Sequence, residues 1–483
     1  MGAATARANA PAGFYGVNVQ QVFNGPSAGW NTDLSAMAGG GLQLARIDAR
    51  WQNVEPNPPS ASGQHTYNWS MYDGIVQGLA QHGLRWLPIV DYSTTWAGVT
   101  QGDTLSAVSP AHIPDFAAFA AALAHRYGPG GTFWSSHTSV PVVPVTEYEI
   151  WNEENSTVFW HQQGGNAEAY ADLYMAARNA IRAVSPSSRV IVGGLALDNP
   201  PSVTDEVDFV RRMYAHRPDL AGNVDGIGLH PYQATVGDTY MRIARFRQGI
   251  NAIAGPSVPI EITEVGWSTT AISETDRAAD LAQMALDLPR SDCNIDAFLP
   301  YTWRTEESSP SDPESWFGIW NRDGTPKPSG QAYLNTVELM RGMTAAAAPT
   351  TPVPICSVDY SPKPPAPPAV TPTTRTTHGP RLILRVRRHK HQHTTLIVAG
   401  QCHSGCKLNV SLMGKPRRSP AVTSRVATRV TGFTTRRQVL RLRIPRKVLK
   451  QSSHVQVLVV AVGRNGATTT VSRRVKVVPP RHR

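Results

Sequence analysis

The chain has 483 residues, of which 41% are hydrophobic and 17% are charged. This length predicts two or three domains, and the hydrophobic content excludes a wholly disordered protein. No apolar run reaches the roughly 18 residues of a membrane-spanning helix, and four cysteines are too few for a disulfide-built scaffold.

The net charge of +11 is distributed unevenly along the chain. Residues 379–483 hold 24 lysines and arginines and no acidic residue, which leaves 22 basic and 35 acidic residues elsewhere. The C-terminal part therefore carries +24 and the remainder −13. A description of the whole protein as basic would hide this division.

Residues 1–13 are small and polar and predict a flexible N-terminus. Ala8-Asn9-Ala10 resembles a signal-peptidase site, but the apolar stretch of a signal peptide does not precede it. A disordered start and a truncated leader are equally good interpretations. We expect a secreted or cell-surface protein, and the Arg-, Ala-, Pro- and Gly-rich composition fits a bacterial genome rich in G and C.

Residues 14–343 alternate short apolar runs with amphipathic segments. Residues 166–184 carry apolar side chains three and four positions apart behind Asn166, which predicts a helix with an Asn N-cap. Eight strand–helix units predict an α/β fold, a (β/α)₈ TIM barrel. A doubly wound sheet is the alternative, but no GxGxxG or P-loop follows a strand. The candidate strands are Phe14–Val19, Leu42–Ile47, Arg85–Val90, Tyr148–Trp151, Val190–Gly193, Gly226–His230, Ile260–Glu264 and Ala297–Tyr301.

Polar residues follow several of these strands directly. In a (β/α)₈ barrel the chemistry lies at the carboxyl ends of the strands, so these side chains would face one bowl. Paired carboxylates can break a glycosidic bond, and indole rings stack on sugars, so this set predicts carbohydrate cleavage. The residues are Arg46, Asp48, Asp91, Asn152, Glu153, His230, Tyr232, Glu264, Trp303 and Arg304.

Two segments carry a family resemblance. YEIWNEEN (148–155) resembles the acid/base signature of clan A glycoside hydrolases, and IEITEVGW (260–267) resembles their nucleophile signature. RIDARWQNVEP, VIVGG and HPY are similar to segments of the family 39 branch and related endoglycosidases. The resemblance covers roughly residues 14–340 and implies a retaining mechanism, with Glu153 as acid/base and Glu264 as nucleophile.

The resemblance also implies substrate-binding residues. Asn152 would bond the 2-hydroxyl group of the sugar, and Arg46 would lie beneath the nucleophile and keep it ionised. His230 and Tyr232 would flank the nucleophile, and Trp303 would form the floor of the −1 subsite. No cofactor and no metal are implied.

Other acidic residues allow different interpretations. Glu154 stands where family members usually have proline, and it either raises the pKa of the acid or points away. Glu149 is the main rival to Glu153, but we expect it to be a buried structural acid inside the barrel. Glu261 is expected to face outward, and Asp91 is either a substrate ligand or a supporting acid.

The predicted function is cleavage of a polysaccharide or oligosaccharide, with endo-action preferred. An exo-acting β-xylosidase-type enzyme is the close alternative. A non-catalytic cell-envelope protein that binds carbohydrate is the alternative from another class. A nucleic-acid-associated protein is disfavoured by the acidic barrel.

Residues 344–380 are rich in Pro, Thr and Ala and predict an extended linker. Residues 381–483 alternate β-branched and polar residues, which predicts an Ig-like sandwich of six or seven strands. The positive charge of this segment favours binding to anionic cell-wall polymers or acidic polysaccharide. A solvated spacer is the alternative. The segment carries no specific nucleic-acid-binding signature.

The cysteines and a histidine run allow several arrangements. Cys293 and Cys356 either pair, which would fix the start of the linker to the barrel, or are both free. Cys402 and Cys406 favour a disulfide. A zinc site with His389, His391 and His393 is disfavoured because further cations flank the histidines.

Overall fold

The computed structural model of the protein describes twelve ranges of the chain. Two compact units are present, Met1–Pro362 and Lys363–Arg483. Among the described residues, every helix is too short or too polar to cross a membrane. The described ranges are 10–24, 29–161, 166–196, 203–342, 352–358, 382–388, 395–402, 406–414, 424–430, 438–443, 454–463 and 468–476.

The first unit is built around eight parallel strands, β1 to β8, that neighbour one another in chain order. The sheet closes where Tyr15, beside β1, bridges to Phe298 of β8, and the Phe298 amide donates to the Phe14 carbonyl at 2.7 Å. The (β/α)₈ barrel is therefore confirmed. The strands are Gly16–Asn18, Leu44–Arg50, Arg85–Asp91, Glu147–Asn152, Arg189–Leu195, Ile227–Leu229, Ile260–Ile262 and Ile295–Phe298.

Eleven described helices, α1 to α11, accompany these strands. The predicted N-cap is confirmed, because the Asn166 side chain accepts from the Ala169 amide at 3.1 Å and α7 begins at the next residue. Tyr170 and Tyr174 lie on its buried face. The helices are Gln20–Phe23, Trp30–Gly39, Trp51–Val54, Ser70–Gln81, Ile113–Tyr127, Thr132–Ser136, Ala167–Val184, Glu206–His216, Val236–Asn251, Glu274–Asp287 and Pro328–Gly342.

A group of paired charged side chains, here called the lower cluster, lies near the amino ends of β4 and β5. It consists of Arg189, Glu147, Glu261 and Asp296. The Arg189 guanidinium lies 2.8 Å from Glu147 Oε1, 2.8 Å from Glu261 Oε1 and 3.4 Å from Asp296 Oδ2. The Arg189 side chain is 37% exposed, whereas Glu261 is fully buried. Solvent therefore reaches the arginine but not this glutamate.

The prediction that Glu261 faces outward is wrong. Glu261 pairs in register with Ala297, which belongs to a small apolar cluster with Leu44 inside the barrel. The expectation counted alternating positions back from Glu264, but β7 ends at Ile262. Strand alternation does not extend beyond the end of a strand, so the count failed.

A disulfide joins Cys293 to Cys356 and attaches residues 352–358 to the first unit. The Asp292 carboxylate accepts backbone N–H groups of Ile355, Cys356 and Ser357 at 2.9, 2.6 and 2.8 Å. Of the two arrangements that the sequence left open for these cysteines, the structure has the paired one. The described residues do not include 389–394 or most of the predicted linker. The side chains of Cys402 and Cys406 are not described either.

The second unit contains seven described strands in two antiparallel sheets, ordered β13-β10-β9 and β12-β11-β14-β15. Leu396, Val398, Val457 and Val459 are buried. The all-β character agrees with the prediction, while the Ig-like arrangement stays a prediction. The strands β9 to β15 are Leu382–Arg388, Thr395–Cys402, Cys406–Gly414, Ser424–Val430, Gln438–Arg443, His454–Gly463 and Thr468–Lys476.

Candidate active site

A cavity of about 540 Å³ lies at the carboxyl ends of the barrel strands. Five of the seven predicted site residues line it, and His230 lies fully buried in its wall, in contact with one of them. This size matches sites for small ligands in general. The predicted residues that line the cavity are Arg46, Asn152, Glu153, Tyr232 and Glu264.

The turn after β4 directs Glu153 into this cavity. Trp151 and Glu153 have φ angles of +70° and +49°, in the left-handed region that side-chain-bearing residues rarely adopt. The Glu153 amide donates to the Gly194 carbonyl of β5 at 3.1 Å, which holds the turn. The Glu153 side chain therefore lines the cavity and stays 17% exposed.

Two glycines at the end of β5 provide room for this arrangement. A Cβ atom at Gly194 would lie 1.8 Å from His230 Nε2, and one at Gly193 would lie 2.4 Å from a Glu154 carboxyl oxygen. The Gly-Gly pair is therefore required because the His230 ring and the Glu154 side chain occupy the space that side chains at these positions would need.

The upper cluster is a second group of interacting polar and charged side chains and consists of Arg46, Glu149, Asn18, Asn152 and Glu264. Arg46 is 2% exposed, and its five N–H donors make five hydrogen bonds. Two go to Glu149, at 2.6 and 3.1 Å, which confirms that Glu149 is a buried structural acid. The other three go to Asn18 Oδ1 at 2.9 Å, Asn152 Oδ1 at 2.9 Å and Glu264 Oε1 at 2.6 Å.

The Glu264 carboxylate is held in its charged form. Burial by itself would raise its pKa, but the His230 ring in its charged form and the Arg46 guanidinium outweigh this effect. Tyr232 also donates its hydroxyl to Glu264 Oε2 at 2.9 Å. The pKa of Glu264 therefore lies below its ordinary value, because charge and hydrogen bonds stabilise the ionised form.

His230 stands between the two carboxyl groups. Its Nδ1 atom lies 2.9 Å from Glu153 Oε1 and 3.6 Å from Glu264 Oε2. One oxygen of each glutamate and a nitrogen of His230 all lie within 4.8 Å of one another. The two carboxyl groups are thus close enough to act on the same atom of a ligand, and their surroundings differ.

Glu154, the departure from the family pattern, points away from the cavity. The side chain is fully buried near Gly193 and Tyr170. Burial raises its pKa well above the ordinary value, so the group is expected to be neutral. Glu154 is thus part of the protein interior, whereas its neighbour Glu153 faces the cavity.

The prediction that Trp303 forms the floor of a sugar subsite is not supported by its position. Trp303 is fully buried, stacks on Trp320 with ring centroids 4.3 Å apart, and donates its indole N–H to Asp33 at 2.8 Å. A side chain without exposed surface cannot offer a face to a ligand. Tyr301, two residues earlier, lines the cavity instead.

Sequence analysis missed several residues of the site. Asn18 ends β1 and Thr263 follows β7, so the rule that points to strand ends could have found both. Tyr92 directly follows β3 and obeys the same rule. The rest of the aromatic lining was not predictable from motifs, because it comes from loops that only the folded chain brings together. It consists of Phe159, Tyr301 and Phe317.

Two groups of described side chains have metal-ligating atoms close together. In the first, Asp292 lies beside Cys293 and Cys356, whose sulfur atoms are joined in the disulfide. The second comprises Glu153, His230 and Glu264, whose atoms are already engaged in hydrogen bonds with one another and with Arg46 and Tyr232.

No protein-family model matches the chain, and no curated protein matches it. Solved structures do resemble it. A monomeric β-xylosidase from Caulobacter crescentus CB15 is 14% identical, with 91% of this chain and 95% of that chain covered and a TM-score of 0.52. A family 39 glycoside hydrolase from Bacteroides cellulosilyticus WH2 is 17% identical, with coverage of 90% and 80% and a TM-score of 0.51.

A glucosidase from Croceicoccus marinus is 12% identical, with coverage of 91% and 95% and a TM-score of 0.50. At these identities the likeness concerns the fold. The chain therefore has the fold of these glycoside hydrolases, in agreement with the resemblance of its two motifs.

Proposed function

We propose that the protein is a retaining glycoside hydrolase. The observation that carries the proposal is the pair Glu153 and Glu264, which line one cavity and have one oxygen each within 4.8 Å of the other. Retaining enzymes hold their carboxyl groups about 5–5.5 Å apart, whereas inverting enzymes need roughly 6.5–9.5 Å to admit a water molecule. The short separation favours direct attack by one carboxylate on the sugar.

The surroundings of the two groups support different roles. Glu264 is the nucleophile, because Arg46 and Tyr232 stabilise its charged form and its side chain lines the cavity. Glu153 is the acid/base, since it receives no contact from Arg46 among the described hydrogen bonds and faces His230 instead. Such separation of two carboxyl environments is how one site holds both an acid and a base.

The reaction then proceeds in two displacements. Glu264 attacks the anomeric carbon while Glu153 gives its proton to the leaving oxygen, which breaks the glycosidic bond and forms a glycosyl–Glu264 ester. Glu153 next removes a proton from water, which attacks the same carbon and releases Glu264. Arg46 orients Asn152 through its carbonyl oxygen, and no described residue accepts a hydrogen bond from the Asn152 amide N–H groups, so these groups can reach the 2-hydroxyl group of the sugar.

The substrate is a polysaccharide or oligosaccharide, and endo-action is our preferred mode. Tyr92, Phe159, Tyr301 and Phe317 give the cavity aromatic faces on which sugar rings stack. An exo-acting β-xylosidase-type enzyme is the second candidate, because two structural neighbours are described as β-xylosidases.

The test measures the release of new reducing ends from plant and bacterial polysaccharides. It compares the wild type with Glu153→Gln and Glu264→Gln, and Glu306→Gln, a change at an exposed residue, is the matched control. We expect release by the wild type and the control, and loss of most activity in the other two. Azide should restore turnover of an activated aryl glycoside in Glu153→Gln, because it replaces water without needing a base. Similar release by all four proteins would refute the assignment.

A wild type that binds polysaccharide and releases nothing would instead favour a non-catalytic carbohydrate-binding protein of the cell envelope. The product pattern separates the two catalytic modes. Oligosaccharides of many lengths indicate endo-action, and monosaccharides alone indicate exo-action.

We further propose that the protein is exported from a bacterial cell and that residues 381–483 retain it on anionic cell-wall polymers or acidic polysaccharide. The support is the absence of any acidic residue among 24 basic ones in residues 379–483. Such retention must weaken as salt screens charge. Release of the protein from bacterial cell walls between about 0.1 and 1 M salt is expected, and unchanged binding would contradict the proposal.

A further inference from the structure

A chain of hydrogen bonds runs behind the candidate acid. His230 Nε2 lies 3.1 Å from Thr263 Oγ1, and Thr263 Oγ1 lies 3.1 Å from Glu149 Oε1. At the other side of the ring, His230 Nδ1 lies 2.9 Å from Glu153 Oε1. His230, Thr263 and Glu149 are fully buried, so water does not offer alternative partners.

The direction of each bond follows from the available protons. Glu149 is paired with Arg46 through both oxygens, so it is ionised and can only accept. A threonine hydroxyl has one hydrogen, and Thr263 must donate it to Glu149. Its oxygen lone pair is then the acceptor for His230, which assigns a hydrogen to Nε2 from the network.

This assignment leaves Nδ1 as the ring atom that faces Glu153, with either a lone pair or a hydrogen. In the neutral ring Nδ1 carries a lone pair aimed at Glu153. A lone pair beside a carboxylate is repulsive, whereas a lone pair beside a carboxylic acid accepts a hydrogen bond. The neutral ring can therefore accept a hydrogen bond from the protonated form of Glu153, which is the form that a general acid needs.

We propose that Thr263 is a positioning residue that fixes the Nε2–H tautomer of His230 and thereby keeps the transferable proton on the line between His230 Nδ1 and Glu153. This inference rests on the proposed glycosidase function. In the first displacement that proton moves from Glu153 to the leaving oxygen. In the second, the water proton returns to Glu153, so the proton count is restored.

Loss of the Thr263 hydroxyl frees the ring to adopt the opposite tautomer. Nδ1–H would then donate to Glu153 and stabilise its carboxylate, which cannot act as an acid. Several groups face the ring from the surrounding elements, and all of them enter the pH dependence. Three of them follow strands: Glu153 after β4, Tyr232 after β6, and Glu264 after β7, at 3.6 Å from Nδ1. Two others act through a neighbour: Glu149 through Thr263, and Arg46 through Glu264.

The first test compares Thr263→Val, which keeps the shape, with Thr263→Ser, which keeps the hydroxyl. The probes are 2,4-dinitrophenyl and methyl β-xylosides, or the same glycosides of the sugar found in the polysaccharide panel. Thr263→Val should lower kcat/KM for the methyl glycoside about 100-fold, the lower range for general acid catalysis, and little for the dinitrophenyl glycoside, whose leaving group needs no proton.

The basic limb of the pH–rate profile for the methyl glycoside should also move to lower pH in Thr263→Val, and Thr263→Ser should restore both properties. Equal losses on the two substrates, or no loss on either, would overturn the proposal. Thermal unfolding of each variant shows whether the fold is retained.

A second measurement does not require activity. Side-chain ¹⁵N spectra, with His230 assigned by its disappearance in His230→Asn, report which ring nitrogen carries hydrogen. We expect a protonated Nε2 in the wild type and Thr263→Ser, and a mixed or reversed state in Thr263→Val. An unchanged tautomer in Thr263→Val would contradict the role of Thr263. A wild type that has the expected tautomer but cleaves no glycoside would refute the proposed function alone.

Discussion

The upper and lower clusters lie in the same barrel, and each places one arginine against two or more carboxylates. In the upper cluster the pKa of Glu264 lies below its ordinary value. In the lower cluster the pKa of Glu261 is raised well above it, because burial and the negative charge of Glu147 outweigh the attraction of Arg189. The same residue types thus produce opposite protonation.

The difference lies in the number of donors that reach each carboxyl group. Glu264 accepts from both Arg46 and Tyr232. Glu261 accepts from Arg189 through Oε1, while its Oε2 has no hydrogen-bond donor among the described residues. A buried carboxylate stays charged only when donors replace its lost hydration, so the upper cluster suits chemistry and the lower one suits packing.

Removal of the central arginine of the upper cluster should have the largest effect. Arg46→Met leaves Glu149 and Glu264 buried without a cation, which costs about 3–5 kcal/mol of unfolding free energy. Activity should be lost as well, because the nucleophile is no longer kept ionised. Denaturant unfolding and kcat/KM measure the two effects, and a variant as stable as the wild type would contradict the central role of Arg46.

Removal of one donor should have a smaller effect, confined to activity. Tyr232→Phe deletes a hydrogen bond to a charged group, worth about 1.5–3 kcal/mol, so kcat/KM should fall roughly 10- to 100-fold. The pKa of Glu264 should rise, so the acid limb of the pH–rate profile moves to higher pH. Tyr301→Phe, whose hydroxyl lies 3.4 Å from Glu314, is the control and should leave this limb in place.

The corresponding change in the lower cluster tests whether the two clusters act independently. Arg189→Met should lower the unfolding free energy by about 1–3 kcal/mol, less than Arg46→Met, because Arg189 is partly exposed and Glu261 can stay protonated. The kcat/KM value should not change. A loss of activity similar to that of Arg46→Met would show that the clusters are coupled.

The smallest expected effect is a pH-dependent gain in stability from Glu261→Gln. The folded-state pKa of Glu261 is raised. Its contribution to the unfolding free energy is therefore complete below the unfolded-state pKa and is lost as pH rises through the folded-state pKa. The amide imitates the neutral acid at every pH. The melting temperature of Glu261→Gln relative to the wild type should therefore increase from pH 4 to pH 8, and a constant or falling difference would contradict this view.

Local patterns predicted much of the barrel. The strands of residues 14–343 were recognisable because apolar runs of the right length alternate with helical periodicity, as in residues 166–184. Glu149 was correctly expected to be a structural acid, since it lies within a strand that is buried throughout.

The failures occur where strands end or where distant segments meet. The position of Glu261 was wrong because the count of alternating residues crossed the end of β7. Trp303 was expected at a ligand and is instead stacked on Trp320, since the chain after β8 folds back on itself. Thr263 was not noticed, because its partners His230 and Glu149 are 33 and 114 residues away.

The sequence by itself determined the strand–helix order, the two glutamate motifs and the division of charge between the two units, because these depend on local periodicity and composition. Only the tertiary structure decided which carboxyl groups are charged, how Arg46 distributes its five hydrogen bonds and that Thr263 connects Glu149 to His230. Those properties depend on burial and on donors contributed by distant strands, and no short stretch of sequence contains both partners.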